Sequence, residues 1–457
     1  MRKEQDSMGE MSVPETALYG ASTQRAVLNF PISGHPLPES FIKAMGLVKY
    51  ASAKANMELG KLDKTKGELI CEAALEVYEG KLTEHFPIDV FQTGSATSSN
   101  MNINEVIANR ISQMTGKPIG SKDPVHPNDD VNCGQSSNDA MPTVLHLSIA
   151  LTLATHLVPA LDNLAEALEE KAKIWENIVK IGRTHLMDAT PMTLGQEFSG
   201  YAAQVRKGID RCFKAIDALR ELAVGGTAVG TGINCHPKFP ALVVNCLNEI
   251  TSLMFVEAEN HFEAQAARDD CVEVAGYLST IAASLTKIAN DIRFLGSGPR
   301  SGIGEINIPA TQPGSSIMPG KVNPVMSEMM VQVCLYVMGN MNTVAMCGRD
   351  GHFELNVTIP LIAHLMDESI CCLSNAVNVF TERCVKDLEA NEARCKELVD
   401  RSLMLVTALN PHIGYDKAAY VAKKAYQENK TLREVVLAEK LMDPQTLDTA
   451  LNPKSML

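Results

Sequence analysis

Apolar residues recur along much of the chain at alternating steps of three and four, the spacing that places side chains on one face of an α-helix. One run consists of Leu147, Ala150, Ala154, Leu157, Leu161, Leu164, Leu168, Lys171, Trp175 and Ile178. A second run consists of Cys271, Val274, Leu278, Ile281, Leu285, Ile288, Ile292 and Leu295. Pro159 lies inside the first run and predicts a kink or a break there. Each run predicts a helix on the order of 40–50 Å long that needs neighbouring helices packed nearly parallel or antiparallel.

Other segments predict shorter helices separated by polar turns. Residues 41–79 are rich in Ala, Lys, Glu and Leu and predict helices joined near Gly60. Residues 1–40 are punctuated by Pro and Gly and predict an extended entry. The small polar residues of Gln92–Asn102 predict a loop that leads into a helix from Asn104.

The window Met329–Cys347 carries no charge and is long enough to span a bilayer. The amides Gln332, Asn340 and Asn342 inside it favour a helix buried in protein. A bundle this apolar is expected to bury its surplus faces against other subunits, so the pattern predicts an oligomer.

These elements predict a mainly α fold organised around a long central helical bundle. Interruptions in the pattern predict three domains. Residues 1–135 form an N-terminal, mixed but mostly helical domain, residues 136–392 the central bundle of long helices, and residues 393–457 a small helical C-terminal domain.

Composition narrows the classes of partner. The chain has 457 residues, of which 45% are hydrophobic and only 5% aromatic, a mixture that favours helices packed on helices. The net charge of −13 argues against a nucleic-acid partner, because no basic excess is present to neutralise phosphates. The 12 cysteines are scattered without any Cys-x-x-Cys motif and predict reduced thiols, with no zinc or iron–sulfur site. The polar N-terminal residues lack the apolar segment of a signal peptide, so a soluble, cytoplasmic protein is expected.

Four polar islands interrupt the helical pattern: Gly94–Asn102, Gln135–Asp139, Gly182–His185 and Gly314–Pro324. For any one island, ordinary helix capping is as good an explanation as a ligand-binding role. Together their hydroxyls, amides and the cation Lys321 suit a small carboxylate ligand.

The island Gly314–Pro324 is not a phosphate-binding P-loop. Five residues separate Gly314 from Gly320, where that motif has four, and Val322 stands where it needs Ser or Thr. The glycine-rich segment Gly225–Gly232 lacks the spacing of a dinucleotide-binding turn, so no nucleotide site is predicted.

Proton transfer has four candidates: His185, Ser315, Lys321 and Glu328. A serine is a poor base unless N–H groups or a nearby cation stabilise its alkoxide, and the loop with Lys321 can supply both. Glu328 can orient a histidine or a water, although a solvated helix charge is the simpler interpretation.

The same segments carry a resemblance to the fumarase/aspartase superfamily. Gly314–Pro324 resembles its signature, and the sequences GSATSSNMNINEVIANR, QSSND, GRTHLMDATPMTLGQ, GGTAVGTGIN and LMLVTALNPHIGYDK resemble its other conserved regions in order. Within the superfamily the chain is most similar to the class II, iron-independent fumarases. Thr184-His185 discriminates here, because aspartases are expected to have Gln at the position of His185.

The resemblance implies reversible hydration of fumarate to L-malate, a hydro-lyase reaction of the tricarboxylic acid cycle, without metal or cofactor. It implies three largely helical domains and a homotetramer with a twenty-helix core. It also implies that each active site is built from three subunits.

Residue roles follow from the same resemblance. Ser315 matches the loop base, and His185 the other acid/base residue, assisted by Glu328. The implied substrate-binding residues are Ser95, Ala96, Thr97, Ser136, Ser137, Asn138, Thr184, Ser316, Lys321, Val322 and Asn323. Ala96 stands where Gly is common. A secondary anion site is implied at His126, Pro127, Asn128 and Asp129, although Asp123 stands where a basic residue can occur, and an acidic group there should weaken anion binding.

The sequence leaves two alternatives open. One is an aspartase that releases ammonia from aspartate, against which His185 argues. The other is an inactive structural protein of the same fold, against which the complete set of site residues argues.

Overall fold

The computed structural model describes the whole chain from Met1 to Leu457. It divides into two compact units. Unit 1 comprises Met1–Pro159, Asp210–Ala282 and Leu335–Ser374, and unit 2 comprises Ala160–Ile209, Ala283–Cys334 and Asn375–Leu457.

The α-helices are α1 (Ala21–Asn29), α2 (Glu39–Glu58), α3 (Lys64–Tyr78), α4 (Thr97–Met114), α5 (Ser137–Thr152), α6 (Val158–Ile174), α7 (Leu194–Ala218), α8 (Phe239–Thr251), α9 (His261–Ala266), α10 (Asp269–Leu295), α11 (Val325–Arg349), α12 (Ile359–Arg383), α13 (Glu392–Arg401), α14 (Asn410–Ile413), α15 (Tyr415–Glu428), α16 (Leu432–Ala438) and α17 (Pro444–Ala450). The strands form five two-stranded sheets: β1 (Arg2–Asp6) with β2 (Gly9–Val13), β3 (Val179–Thr184) with β4 (Met187–Thr193), β5 (Glu221–Leu222) with β6 (Val256–Glu257), β7 (Ile306–Asn307) with β10 (Glu389–Ala390), and β8 (Gly351–His352) with β9 (Leu355–Asn356). The predicted mainly α class is confirmed.

Both long apolar runs lie on helices. Every member of the run from Cys271 to Leu295 is buried in α10. The first run lies on a helical stretch, Ser137–Ile174, whose hydrogen bonding changes to a π-helical turn at Leu153–Leu157. Pro159 follows this turn closely and has no N–H for an i→i−4 bond, which accounts for the predicted interruption. The helix ends before Trp175 and Ile178, so the last members of the run lie outside it.

In unit 1, α2 packs against α3, α5 and α8. The α2–α3 contact is close because Gly46 has no side chain, and a Cβ there would lie 2.8 Å from the carbonyl oxygen of Ala74. The predicted helix pair around Gly60 is confirmed as α2 and α3, with Asp63 accepting the N–H groups of Thr65 and Lys66 at the start of α3.

The predicted extended entry is only partly correct. Residues 2–13 form the antiparallel hairpin β1–β2, and α1 follows it. Arg2 organises the segment by donating to the carbonyl oxygens of Pro14 at 2.7 Å and Tyr19 at 2.6 Å. These contacts between distant residues leave no local signal in a sequence punctuated by Pro and Gly.

The uncharged window lies on α11, as predicted, but this helix is buried along one face only. Met330, Val337 and Val344 are buried, whereas Leu335 is 62% exposed and Met346 48% exposed. The stretches Ser137–Ile174 and Val325–Arg349 are both apolar and long enough to cross a membrane by length and composition alone, with 67% and 33% of their most apolar windows buried. Core helices of water-soluble proteins pass the same test, so it carries no further conclusion.

Unit 2 contains the β3–β4 hairpin and a small C-terminal helical core. The core is built by Val399, Leu409, Val421, Val435 and Leu447, all nearly inaccessible. Five long helices, α6, α7, α10, α11 and α12, supply residues to both units. The three sequential domains therefore stay a prediction. All twelve cysteines are free.

Candidate active site

Three hydroxyl groups from two polar islands meet in unit 1. Thr97 Oγ1 lies 2.7 Å from Ser95 Oγ and 2.7 Å from Ser137 Oγ. Ser95 is buried, and Thr97 and Ser137 are partly exposed. Hydroxyls whose protons rotate freely can donate to a carboxylate as readily as to one another, so this cluster suits an anionic ligand.

The backbone ahead of α4 explains how Thr97 reaches this position. The loop predicted over Gln92–Asn102 is too long. Helix α4 begins at Thr97, so the second half of that segment is helical. Ala96 precedes it with φ +58, a left-handed conformation that Gly adopts at lower cost, and its methyl group is fully buried. Gly94 packs against the backbone at Val357, where an added Cβ would lie 1.8 Å from the carbonyl oxygen.

The N-terminus of α5 presents the second part of the cluster. Ser136 caps the helix, accepting the N–H of Asn138 at 3.2 Å, while Asp139 accepts the N–H of Ser136 at 2.9 Å. The other oxygen of Asp139 accepts the N–H groups of Gly225 and Thr227, each at 2.9 Å. Burial raises the pKa of this carboxyl group. The glycine-rich segment is therefore a support for α5.

Lys49 on α2 is a buried residue that sequence reasoning missed. Its Nζ donates to Asn100 Oδ1, Asn132 Oδ1 and Gln135 Oε1, each at 3.0 Å. Burial lowers its pKa to about 7, against which the negative charge of Asp139 acts. The available signal was weak: Lys49 follows Leu47-Val48, in a helix that contains other lysines.

In unit 2, His185 lies at the tip of the β3–β4 hairpin. Thr184 pairs with Met187, so His185 and Leu186 form a two-residue turn. Their φ angles of +56 and +62 match a type I′ turn, which Gly or Asn normally supplies. Non-glycine residues in this conformation mark a strained backbone, of the kind often found at functional sites. The imidazole is exposed and has no hydrogen-bond partner within the chain.

A buried ionic network holds strand β3 of this hairpin. Arg183 contacts both oxygens of Glu305, at 2.9 and 3.1 Å. Lys180 contacts Glu197 at 2.7 Å and Glu305 at 3.5 Å. The Glu305 side chain is fully buried, and the positive charges of Arg183 and Lys180 lie beside its carboxylate. The network fixes the strand that leads into Thr184.

Hydrogen bonds at its ends close the loop Gly314–Pro324. Gly314 donates to the carbonyl oxygen of Lys321 at 2.9 Å, and Asn323 Nδ2 donates to the carbonyl oxygen of Gly314 at 2.6 Å. Ser315 Oγ accepts the N–H groups of Ile317 at 3.2 Å and Met318 at 3.0 Å. Ser316, Lys321 and Val322 are exposed.

Glu328 lies in the first turn of α11, directly after this loop. Its carboxylate is exposed and, like His185 and the ammonium group of Lys321, makes no ion pair or hydrogen bond with another side chain. Within unit 2 no hydrogen bond joins His185 to the loop. The structure of the single chain therefore brings together Ser95, Thr97 and Ser137. No hydrogen bond joins the side chains of His185, Lys321 and Glu328 to one another.

The implied secondary site is a turn in unit 1. His126 Nδ1 accepts the N–H groups of Asn128 at 3.3 Å and Asp129 at 3.1 Å, and lies 3.3 Å from the carboxylate of Asp129. Pro127 begins a π-helical turn. Asp123, the acidic residue nearby in sequence, forms an ion pair with Lys117 at 3.1 Å. No group of three or more His, Cys, Asp or Glu side chains in the chain could hold a metal ion.

Comparisons with known proteins agree with this architecture. Residues 9–339 match a family model described as lyase, and residues 405–457 match one described as fumarase C C-terminus. The fumarate hydratase class II of Mesorhizobium japonicum is 52% identical over all of this chain and 98% of its own. The mitochondrial fumarate hydratase 1 of Arabidopsis thaliana is 52% identical over all of this chain and 93% of its own. The crystal structure of class II fumarase from Schistosoma mansoni has a TM-score of 0.97 and 40% identity, covering 100% of this chain and 98% of that one.

Fold, polar islands and family match together define a helical lyase. The chain belongs to the class II fumarate hydratase family, which confirms the resemblance stated from the sequence.

Proposed function

We infer that this protein catalyses the reversible hydration of fumarate to L-malate. The observation that carries the inference is the full-length identity of about half with fumarate hydratases, combined with His185 at the tip of a strained, exposed turn. The direct test follows the ultraviolet absorbance of the conjugated double bond of fumarate with the purified protein. The absorbance must increase when malate is the substrate and decrease when fumarate is the substrate.

We propose Ser315 as the base that removes the C3 proton of malate. Its Oγ accepts two main-chain N–H groups, and such donors stabilise the alkoxide that a serine base requires. Removal of the proton creates an aci-carboxylate dianion, whose added charge must be met by fixed donors. Lys321 and Asn323, at the other end of the same loop, are our candidates for those donors.

His185, in our proposal, protonates the departing hydroxyl and in the reverse direction removes a proton from water. Glu328 assists by orienting the imidazole. The other proposed binding groups are those that donate to or surround a carboxylate: Ser95, Ala96, Thr97, Ser136, Ser137, Asn138, Thr184, Ser316 and Val322. The pair of hydroxyls at Thr97 and Ser137 is the best-supported part of this set, because the two groups already share a hydrogen bond.

We further propose a homotetramer in which three subunits contribute to each active site. The exposed apolar face of α11, which includes Leu335 and Met346, supports burial against other copies. The unpartnered His185, Lys321 and Glu328 support a site that a single chain leaves incomplete.

Mixing two impaired variants tests the shared site. Ser137→Ala and Ser315→Ala subunits, unfolded together and reassembled, should regain part of the activity, because some sites then receive both wild-type residues. Reassembly of each variant alone is the control. Tetramers that form without regaining activity would place Ser137 and Ser315 of one subunit in the same site.

Aspartase activity is the second candidate, and the same preparation tests it. Ammonia release from aspartate without malate turnover would replace the proposal, whereas loss of both activities would favour a structural protein. Cytoplasmic location stays a prediction, since two relatives are named mitochondrial. Cell fractionation followed by the absorbance assay would test it.

A further inference from the structure

Lys49 is a buried cation with an unusual set of partners. The residue is 1% exposed, yet none of its hydrogen-bond acceptors carries a charge. A buried ammonium group is costly unless its hydrogen bonds are satisfied, and a carboxylate partner is the common solution. Here three side-chain amide oxygens take that place.

Burial lowers the pKa of Lys49 to about 7, and the hydrogen-bond geometry opposes this effect by favouring the charged form. Three acceptors at 3.0 Å use all three N–H bonds of an ammonium group, and a neutral amine has only two. The amides are themselves held in place. Asn132 donates to the carbonyl oxygen of Gln135 at 3.0 Å, and Gln135 donates to the carbonyl oxygen of Val131 at 3.1 Å. Lys49 is therefore the centre of an ordered polar network.

Two of the three acceptors, Asn100 and Gln135, lie close in sequence to the proposed substrate-binding residues. Asn100 is in the first turn of α4, which begins at Thr97, and Asn100 Nδ2 also donates to Asn132 Oδ1 at 3.1 Å. Gln135 directly precedes Ser136, the N-cap of α5. The ammonium group of Lys49 thus connects the first turn of α4 with the turn that precedes α5.

We propose that Lys49 is a positioning residue for the dicarboxylate site, holding the starts of α4 and α5 so that Thr97 and Ser137 present their hydroxyls together, and adding a fixed positive charge behind them. This proposal rests on the substrate-binding role inferred above for Thr97 and Ser137. Both helix N-termini carry partial positive charge, so the buried cation acts in the same direction. Because a dianionic substrate feels that charge in the ground state and in the transition state, its loss should weaken binding more than turnover.

Steady-state kinetics of the full-length enzyme with L-malate test the proposal. Lys49→Met retains the length and apolar part of the side chain and removes the charge. We expect its KM to rise at least about tenfold while kcat changes less than about threefold. Lys49→Arg retains the charge and should recover part of the affinity. Lys54→Met is the matched control, because it removes the same charge from an exposed position on the same helix and should leave KM unchanged.

Thermal unfolding and oligomer size are measured for every variant. Lys49→Met with an unchanged KM and only a lower melting temperature would overturn the proposal and leave Lys49 a structural residue. If Lys49→Met does not fold, Gln135→Met removes one of the three acceptors and should raise KM about threefold. An unchanged KM in Gln135→Met would also overturn the proposal.

Ser137→Ala separates this inference from the function it rests on. A raised KM in Ser137→Ala together with an unchanged KM in Lys49→Met would reject only the role of Lys49. Unchanged KM values in both variants would instead reject the proposed binding role of the Thr97–Ser137 pair.

Discussion

Arg183 and Glu305 form a two-point contact in which Nη1 lies 2.9 Å from Oε2 and Nη2 lies 3.1 Å from Oε1. Arg183 immediately precedes Thr184-His185, so this contact fixes the strand that ends in the proposed acid/base residue. The contact is largely buried, because the side chains are 18% and 0% exposed. A planar guanidinium group holds a carboxylate in one orientation, which a lysine ammonium does not.

Arg183→Lys is therefore expected to keep the charge and lose the orientation of the turn. We expect kcat to fall about tenfold or more with a small change in KM, since small displacements of catalytic groups are costly. Arg401→Lys is the control, because its side chain is exposed and pairs only loosely with Glu397, at 3.7 Å. Steady-state kinetics with malate measure both variants. Normal kcat in Arg183→Lys would show that the hairpin positions His185 without the two-point contact.

Ser315→Ala tests the proposed base. Turnover should fall by about a hundredfold or more, in the range typical for removal of a general base, while oligomer size and affinity for the non-reacting dicarboxylate succinate stay near normal. Ser316→Ala is the matched neighbour, and as a binding variant it should raise KM more than it lowers kcat. Near-normal turnover in Ser315→Ala would remove this serine from the mechanism.

Much of the architecture could be predicted from periodicity. The run from Cys271 to Leu295 is buried in a single helix because a continuous 3.6-residue period leaves one apolar face. The window on α11 is correctly predicted as a helix, but its exposed side is not, because apolar composition alone cannot tell burial within a chain from burial between chains.

The sequence predicted the polar islands of the site but not the residues that support them, for a physical reason. Polar islands are visible in the sequence because they interrupt apolar helices, and this signal found the Thr97 and Ser137 segments that share a hydrogen bond. Supporting residues lie within helices and strands or beside them, where no interruption marks them. Lys49 and Glu305 became recognisable only through partners far away in sequence.

His126→Asn tests the secondary anion site. We expect turnover to change less than about twofold, because the turn His126–Asp129 is implied only as an accessory site and His126 serves there to accept two N–H groups. Asn is itself a favoured N-cap residue and keeps a side-chain acceptor for these N–H groups, so the free energy of unfolding should change by less than about 1 kcal/mol. Steady-state kinetics with malate and a thermal melt measure both effects. A large loss of kcat would show that this turn belongs to the catalytic site.

We expect the charge of Asp123, three residues before His126, to influence anion binding at the same turn. Asp123→Asn removes a negative charge and leaves Lys117 without its partner at 3.1 Å, so anion affinity near His126 should increase modestly. Isothermal titration with malate measures the change in a background where Ser137→Ala weakens the main site. The control is the Ser137→Ala protein that retains Asp123. The same affinity in both proteins, at low and at high salt, would show that the carboxylate does not influence this turn.

His146 predicts how stability depends on pH. It is 5% exposed on α5, with Nδ1 lying 2.9 Å from the carbonyl oxygen of Glu221. Burial lowers its pKa to about 3, and the positive charge of Arg268 acts in the same direction. Asp270 Oδ2 is 3.9 Å from Nε2, too far for a hydrogen bond that would favour the charged form.

The sign follows from proton binding. Between the ordinary pKa of about 6.5 and the lowered value of about 3, the unfolded chain binds a proton that the folded chain does not. The contribution of His146 to the free energy of unfolding is therefore complete above about pH 6.5 and is lost as the pH falls toward 3, by up to about 1.4 kcal/mol per pH unit. Urea unfolding at pH 7, 6 and 5 measures this slope. His146→Gln should reduce it, whereas His412→Gln, at an exposed position, should not; an equal slope in both variants would show that protonation of His146 does not set the pH dependence.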